Sequence, residues 1–600
     1  MSAGTDGRRD TDTAGFTSES RDWPDPETGR EDATPGEIPG DPADSPGPTT
    51  DEDRGSTGGG LLKSSALMAA GTVFSKASGF IAKSLMVWAI GTSVLADTYQ
   101  LGNTLPNMLY TLIIGGTLNA VFVPQLVRAM RKDQDGGEAY ANRLLTMVGT
   151  AMLLLSVVTV LAAPWVVRLV ATSQYEGGDN QIHFEHTVMF ARYCLPQVFF
   201  YGLYVMLGQV LNARGRFGAM MWTPVLNNVV LMFTFGLFIA VSGRDIGQLS
   251  QNITEAEIQL LGIGTTLGIV VQALTLVPFV RASGFRIRPR FDWRGVGLRK
   301  EAGLAKWMLF LVLVNQLGYV VVTKVASAAG VMGEDAGVGY GVGLAPYANA
   351  NIMFQLPHSI ITVSLMTALM PALSRAVADG RLADARDNLS ESLRTAGVAI
   401  VPAAAFYILF GPALAMVLFF KVDADSAFYI GQIVAIFAAG LIPFSTHYVV
   451  VRTFYAFEDT RTPFLISLVI QAVNVAGALA SQLLPVQWIT LGLAGSFSLS
   501  YVAGLTASTL LLRRRMGSLD GARIVRTYIR LGVAAGAGAV AAFGAAYLVR
   551  LGLGADRLSA VVQVVVGGVV LFGCYLVVAH RMRVRELQAM ISMARSKIGR

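Results

Sequence analysis

The sequence predicts an all-α polytopic membrane protein of about fourteen transmembrane helices, in two parallel six-helix lobes with two appended helices. Three observations carry this prediction. First, 53% of the side chains are hydrophobic and only 14% charged, with a mean hydropathy of +0.52. Too little polar surface is left to cover a soluble protein of 600 residues. Second, apolar windows of roughly 20 residues recur along the chain, long enough to cross about 30 Å of hydrocarbon. Third, Lys and Arg concentrate in alternate loops between those windows.

Residues 1–60 stand apart. They hold fifteen acids against five arginines and almost no aliphatic side chains, so they are expected to form a disordered acidic cytoplasmic tail. Removing the tail's net −10 turns the formal +7 of the chain into +17 on residues 61–600. The membrane part is strongly basic. No signal-peptide pattern opens the chain, so its first hydrophobic helix is expected to direct insertion. Cys194 and Cys574 lie in apolar stretches without a CxxC pattern or a histidine at ligand spacing, and imply neither a disulfide nor a metal site.

The windows centre near residues 78, 114, 155, 200, 230, 269, 315, 362, 402, 438, 472, 500, 538 and 568. One set of alternate loops carries the basic clusters, among them Arg281 to Lys300, Arg375 to Arg394 and Arg513 to Arg526. The opposite set offers only Arg244, Lys421, Arg550 and Arg557. Both termini are therefore expected in the cytoplasm of a cell-membrane protein. The basic tail, 581–600, mixes Arg and Lys with Leu, Met and Ile at helical spacing. That pattern suits either a helix lying on an anionic leaflet or a solvated tail.

An internal echo suggests duplication. LPNMLYTLIIGGTLNAVFVPQLVRA in the second window and LPHSIITVSLMTALMPALSRA in the eighth both open on Leu-Pro and close on P-x-L-x-R-A, with Arg128 and Arg375 247 residues apart. Windows four and ten repeat an Ala (Ala213, Ala456) and a Thr-Pro pair (Thr223-Pro224, Thr462-Pro463). An even number of spans per repeat gives both halves one orientation, a transporter architecture. The expected division is an N-lobe over 61–296, a C-lobe over 297–516 and two appended helices over 517–580.

Charges inside spans report function. Lys76 lies about 16 Å from water at 1.5 Å per residue, and snorkelling covers about half of that. Lys83, seven residues on, falls about 20° from the same helical face. Thr72, Ser75, Ser78 and Gly79 make that stripe small and polar, so it is expected to face a cavity or another helix. Arg192, Lys324 and Arg452 are shallower and are read equally as interfacial anchors. No carboxylate lies at the middle of any window; the nearest, Asp97, opens the second. Uncompensated interior cations favour an anionic ligand, such as a phosphate or pyrophosphate. Gly115-Gly116 and the span prolines Pro106, Pro196, Pro357 and Pro443 suit kinks and hinges.

No catalytic constellation is present, so an enzyme is not expected. HFEH at 183–186 lacks further metal ligands, and no Walker A sequence occurs. Work must come from gradients or the membrane potential, worth about 2.3 kcal/mol per charge per 100 mV. No cofactor, metal or nucleic-acid partner is expected.

FSKASGFIAKSLMVWAIGTSVLADTYQLGNTLPNMLYTL resembles the first two helices of the MviN/MurJ family of lipid II flippases, and RTFYAFEDTRTP resembles that family's stretch after helix ten. The resemblance covers about residues 61–580. It implies the fourteen-helix fold of the MOP superfamily and outward translocation of undecaprenyl-pyrophosphate-linked peptidoglycan precursor. The family's first-helix basic residues fall on Lys76 and Lys83, and its second-helix acid on Asp97. Asn107 belongs to the LPN motif and, with Asp97, Gly115 and Gly116, is assigned a structural or gating role. Other positions depart from the family. A basic pair is replaced by Tyr110 and Thr111, and helix eight has Asn351, Ile352 and Gln355 where many members are charged. The cationic cavity is therefore expected to rest on Lys76 and Lys83, with Lys324, and Arg452, supplying charge from the second lobe. The sodium-binding carboxylate of some members has no match. Expected partners are lipid II or a related polyprenyl-pyrophosphate glycan and membrane lipids, with cell-wall or division proteins at the N-terminal tail. Flipping of another polyprenyl-linked glycan, or a transport-deficient scaffold, are the alternatives.

Overall fold

The computed structural model describes residues 71, 74–112, 135, 137–216, 218–243, 253–292, 302–554 and 556–598. Helices dominate and no strand occurs among the described residues. The first two are α1 (74–90) and α2 (94–112), joined by a turn at Gly91, whose φ of 72° suits a residue without Cβ. Then follow α3 (Glu138–Leu161), α4 (Ala163–Val170), α5 (Gln181–Cys194), α6 (Gln197–Ala213), α7 (Gly218–Ser242) and α8 (Glu255–Ala282). The second half holds α9 (Ala302–Asp335), α10 (Leu344–Pro357), α11 (Val363–Ala378), α12 (Leu382–Leu418), α13 (Ala424–Ala439), α14 (Leu441–Ala456), α15 (Arg461–Ser481) and α16 (Val486–Met516). Three more close the chain: α17 (Gly521–Leu553), α18 (Arg557–Arg581) and α19 (Arg585–Ile598).

Eleven spans among the described residues are long and apolar enough to cross a membrane, and twelve if α13 and α14, bent by 46°, make one. The expected fourteen exceeds this count; α1 and α2 border stretches outside the described residues, and Gly115, Gly116 and Thr72 lie in those stretches. The breaks fall near the prolines. Pro196 sits between α5 and α6, and Pro443 follows the bend at Gly440. Pro357 ends α10, where His358–Thr362 forms a π-helical turn leading into α11. Proline removes an amide donor and crowds the preceding turn, which is how such breaks arise.

Packing follows chain order. α3 and α5 to α8 pack on one another, α9 to α16 do likewise, and α17 and α18 pack together against α12. Small residues set the close crossings: a Cβ on Gly411 would lie 2.7 Å from the Gly431 carbonyl, and one on Gly538 2.6 Å from that of Leu571. Tyrosines tie the appended pair to α12, Tyr528 Oη donating to the Leu393 carbonyl at 3.0 Å and Tyr575 Oη to that of Val398 at 2.6 Å.

The DTRTP stretch proves to be a joint. Asp459 accepts from the Thr462 amide (3.0 Å) and hydroxyl (2.8 Å), organising the first turn of α15. Its carboxylate also pairs with Arg515 near the end of α16 at 2.7 Å, and that guanidinium lies over Phe457. Partial burial raises the Asp459 pKa, but the Thr462 hydrogen bonds and then the Arg515 charge outweigh it and hold the carboxyl below its ordinary value. The ion therefore stabilises the fold above the ordinary carboxylate pKa and loses that contribution as pH falls through the lowered one. Thermal midpoints of the detergent-solubilised chain should fall on acidification below about pH 4. Asp459→Asn should be less stable at neutral pH and show a smaller acid-dependent loss; an identical pH profile would exclude the joint.

Candidate functional site

The polar stripe of α1 is used as a helix contact. Asn228 of α7 donates to the Ser75 carbonyl and the Ser78 hydroxyl, both at 2.9 Å, and a Cβ on Gly79 would stand 3.3 Å from the Asn228 amide nitrogen. Only small residues allow this approach. It turns Lys76 and Lys83 together into a cavity of about 390 Å³, walled also by Tyr99, Asn103, Asn227, Ile352, Gln355 and Ser359.

A second compartment of about 530 Å³ shares Ile352 and Gln355 with the first and is lined by Gln100, Thr104, Asn107, Asn315, Gln316, Tyr319, Tyr347, Asn351, Gln471, Asn474 and Tyr501. The compartments are also linked by side chains. Lys83 Nζ donates to Gln100 Oε1 at 3.1 Å, and Gln100 Nε2 to Thr104 Oγ1 at 3.1 Å. Asn315 Oδ1 accepts from Ser467 (3.0 Å) and Gln471 (2.9 Å), while Gln471 Oε1 and Asn227 Oδ1 are buried without a hydrogen-bond partner. Among the described residues no carboxylate lines either compartment, and none lies within 4.0 Å of either lysine. The result is a hydrogen-bonding chamber with positive charge on one wall.

Asp97 ties the start of α2 to the start of α10. It is fully buried, and its carboxylate accepts from the amides of Leu344 (2.9 Å) and Ala345 (2.6 Å) at the start of α10. Helix α10 has no cap of its own, because Gly343 (φ 136°) precedes it. The carboxylate thus serves as an N-cap supplied from another helix, at the electropositive end of α10. The segment is tight: a Cβ on Gly330 would come within 2.6 Å of Asp97 Oδ2, and one on Gly341 would collide with the Thr92 carbonyl. Nearby, His183 of the HFEH stretch faces Glu334 at 3.6 Å.

Two expected cavity residues sit elsewhere. Lys324 lines neither compartment. At about 100° per residue it falls some 140° around α9 from Tyr319, which faces the chamber. Arg452 also lines neither: it donates to Tyr448 Oη at 2.6 Å and lies over the rings of Tyr448 (4.8 Å) and Tyr455 (5.9 Å). Charge from the second lobe is thus absent from the chamber walls described, and amides stand in its place. Arg192 is exposed. Sequence reasoning passed over Gln100, Asn103, Asn227, Gln471 and Asn474; amides within apolar windows were the available signal.

Comparison with known proteins gives the family and the fold. The family model described as lipid II flippase MurJ matches residues 86–555. The chain belongs to the MurJ family. A probable lipid II flippase MurJ of Rhizobium meliloti is 27% identical over 457 residues, covering 75% of this chain and 80% of the relative. A further MurJ relative of that description, from Bdellovibrio bacteriovorus, is 27% identical and covers 86% and 94%. In fold, the chain is similar to lipid II flippase MurJ in an inward closed conformation, with a TM-score of 0.65, 16% identity, and 86% and 99% coverage. It also resembles an inward-facing MATE multidrug transporter of the MOP superfamily, with a TM-score of 0.57, 15% identity, and 74% and 96% coverage.

The Asp97 contact generates a prediction. In a background with Cys194 and Cys574 replaced by alanine, Asn103→Cys should resist a membrane-impermeant thiol reagent added outside. Adding Asp97→Ala, which strands two buried amides, should raise its labelling severalfold; unchanged labelling would mean the outer end is held by other contacts.

Proposed function

We propose that this chain carries lipid II from the inner to the outer leaflet of the cytoplasmic membrane by alternating access, for cell-wall synthesis. The observation that carries this reading is the chamber with Lys76 and Lys83 on one wall and no carboxylate on any described wall. A pyrophosphate supplies the charge that the lysines lack, and the ammonium groups suit it as compact point charges. The amides and tyrosines of the second compartment then take the sugar and peptide, whose hydroxyls and amides need hydrogen-bond partners once out of water. The polyprenyl tail stays in lipid. Affinity must be modest, because a site that favours one facing state too strongly does not release its cargo in the other.

In this reading both termini are cytoplasmic, and 61–296 and 297–516 form lobes that rock about the chamber. Asp97 holds the outer end shut while the chamber loads. The appended helices over 517–580 flank the C-lobe through α12, and the acidic residues 1–60 are free to recruit cell-wall or division proteins.

Reconstitution tests this. Wild-type protein in liposomes should move lipid II between leaflets, and Lys76→Ala/Lys83→Ala should slow it at least about 100-fold, since each lost charge-assisted contact costs roughly 1.5–3 kcal/mol. Lys324→Ala should leave the rate unchanged. Undiminished movement in the double variant sinks the cationic-site model. No movement by the wild type, with another polyprenyl-linked glycan moved instead, would reassign the cargo.

A further inference from the structure

A second cationic cavity, of about 260 Å³, lies far from the chamber in sequence, where α12, α17 and the α18–α19 corner meet. Its walls carry Arg394, Arg523, Arg526, Arg530, Arg583 and Arg585, with Glu586 the single carboxylate. Glu586 is taken by Arg394 in a largely buried pair, and Asp520 lies 3.5 Å from Arg523. Among the described residues, no carboxylate stands within 4.0 Å of the remaining four arginines.

Two independent features indicate that the cup has an occupant, and of what kind. The corner after α18 is closed by the Arg583 amide on the His580 carbonyl (3.0 Å) and the Val584 amide on that of Ala579 (3.2 Å). In such a helix stop the left-handed position is ordinarily glycine. Here it is Arg583, at φ 52°, so the chain accepts Cβ strain and keeps a guanidinium at the rim. The second feature is below the cup. On α17, Ile529, Val533 and Val540 lie within about 60° of Arg526 around the helix axis, and they are 60%, 53% and 76% exposed. An apolar strip thus runs into the membrane from the arginines.

We infer that the arginine cup at the α12, α17 and α18–α19 junction binds the phosphate headgroup of an anionic phospholipid of the cytoplasmic leaflet, with an acyl chain along the α17 strip. A free anion would use the cup and leave the strip bare. Arg is suited to the task, because its planar donors match phosphate oxygens in pairs. The inference rests on the orientation given above and on no step of transport, so it stands or falls separately from the cargo.

Native mass spectrometry of the full chain in detergent, with defined lipids added, provides the test. Wild type should retain phosphatidylglycerol in preference to phosphatidylcholine. Arg526→Gln/Arg530→Gln should weaken phosphatidylglycerol retention roughly 10- to 30-fold, as expected for two basic groups at an anionic surface. Arg583→Gly removes the strain as well as the charge, so it should weaken retention severalfold while the thermal midpoint holds or rises. Equal retention by wild type and the variants overturns the site. So does displacement of the lipid by equimolar inorganic pyrophosphate, which would make it a free-anion site. Preferential, arginine-dependent retention of undecaprenyl pyrophosphate would make it a loading position for cargo and likewise overturn the phospholipid assignment.

Discussion

The organisation of this molecule follows from two ammonium groups on a helix of a membrane protein with no carboxylate beside them among the described residues. Such charges persist only if other dipoles, water or a ligand replace the missing anion. Lys83 is partly answered by the Gln100 carbonyl oxygen, and the amides beyond it extend the polar lining without neutralising it. A lysine–carboxylate pair would have been self-sufficient and would have competed with cargo. Amides avoid that competition, because they carry no net charge, and the unpaired oxygens of Gln471 and Asn227 leave hydrogen-bonding capacity for a ligand.

The two cation-lined spaces differ in a way that suits different ligands. The chamber has compact lysines on one wall and amides along the rest. The cup has planar guanidinium groups near a helix corner and an exposed apolar strip below. The chamber is arranged for something that must leave again. The cup, with a rim arginine held in a strained conformation, is arranged for something that stays.

Much of this was legible in the sequence, for reasons particular to the residues. Hydropathy shows helical spans because backbone groups in lipid must be satisfied within the segment. The common face of Lys76 and Lys83 followed from their spacing of seven, and the small residues around them marked a contact, which is the one with Asn228. Lys324 and Arg452, expected to add charge to the cavity, line neither compartment: depth along a span says nothing about direction around it, and Arg452 lies over Tyr448 and Tyr455. The amides were passed over because the search followed formal charge, whereas in lipid an uncharged donor is costly too. DTRTP, the most specific of the stretches that resemble the family, proved to be architecture: Asp459 ties one helix start to another helix end. The trans-cap by Asp97 was out of reach, since its two acceptor bonds run to amides 247 and 248 residues away.

That distance has a consequence for biogenesis. A helix capped by its own sequence is complete as soon as it is made, but α10 has Gly343 where a capping side chain would stand. Its first turn is finished only when α2, made far earlier, is already in place with its carboxylate presented. The chain therefore carries an internal order of assembly, in which the first two helices act as a template for the tenth. Until Leu344 and Ala345 are made, Asp97 lacks the two amides that it holds in the finished chain.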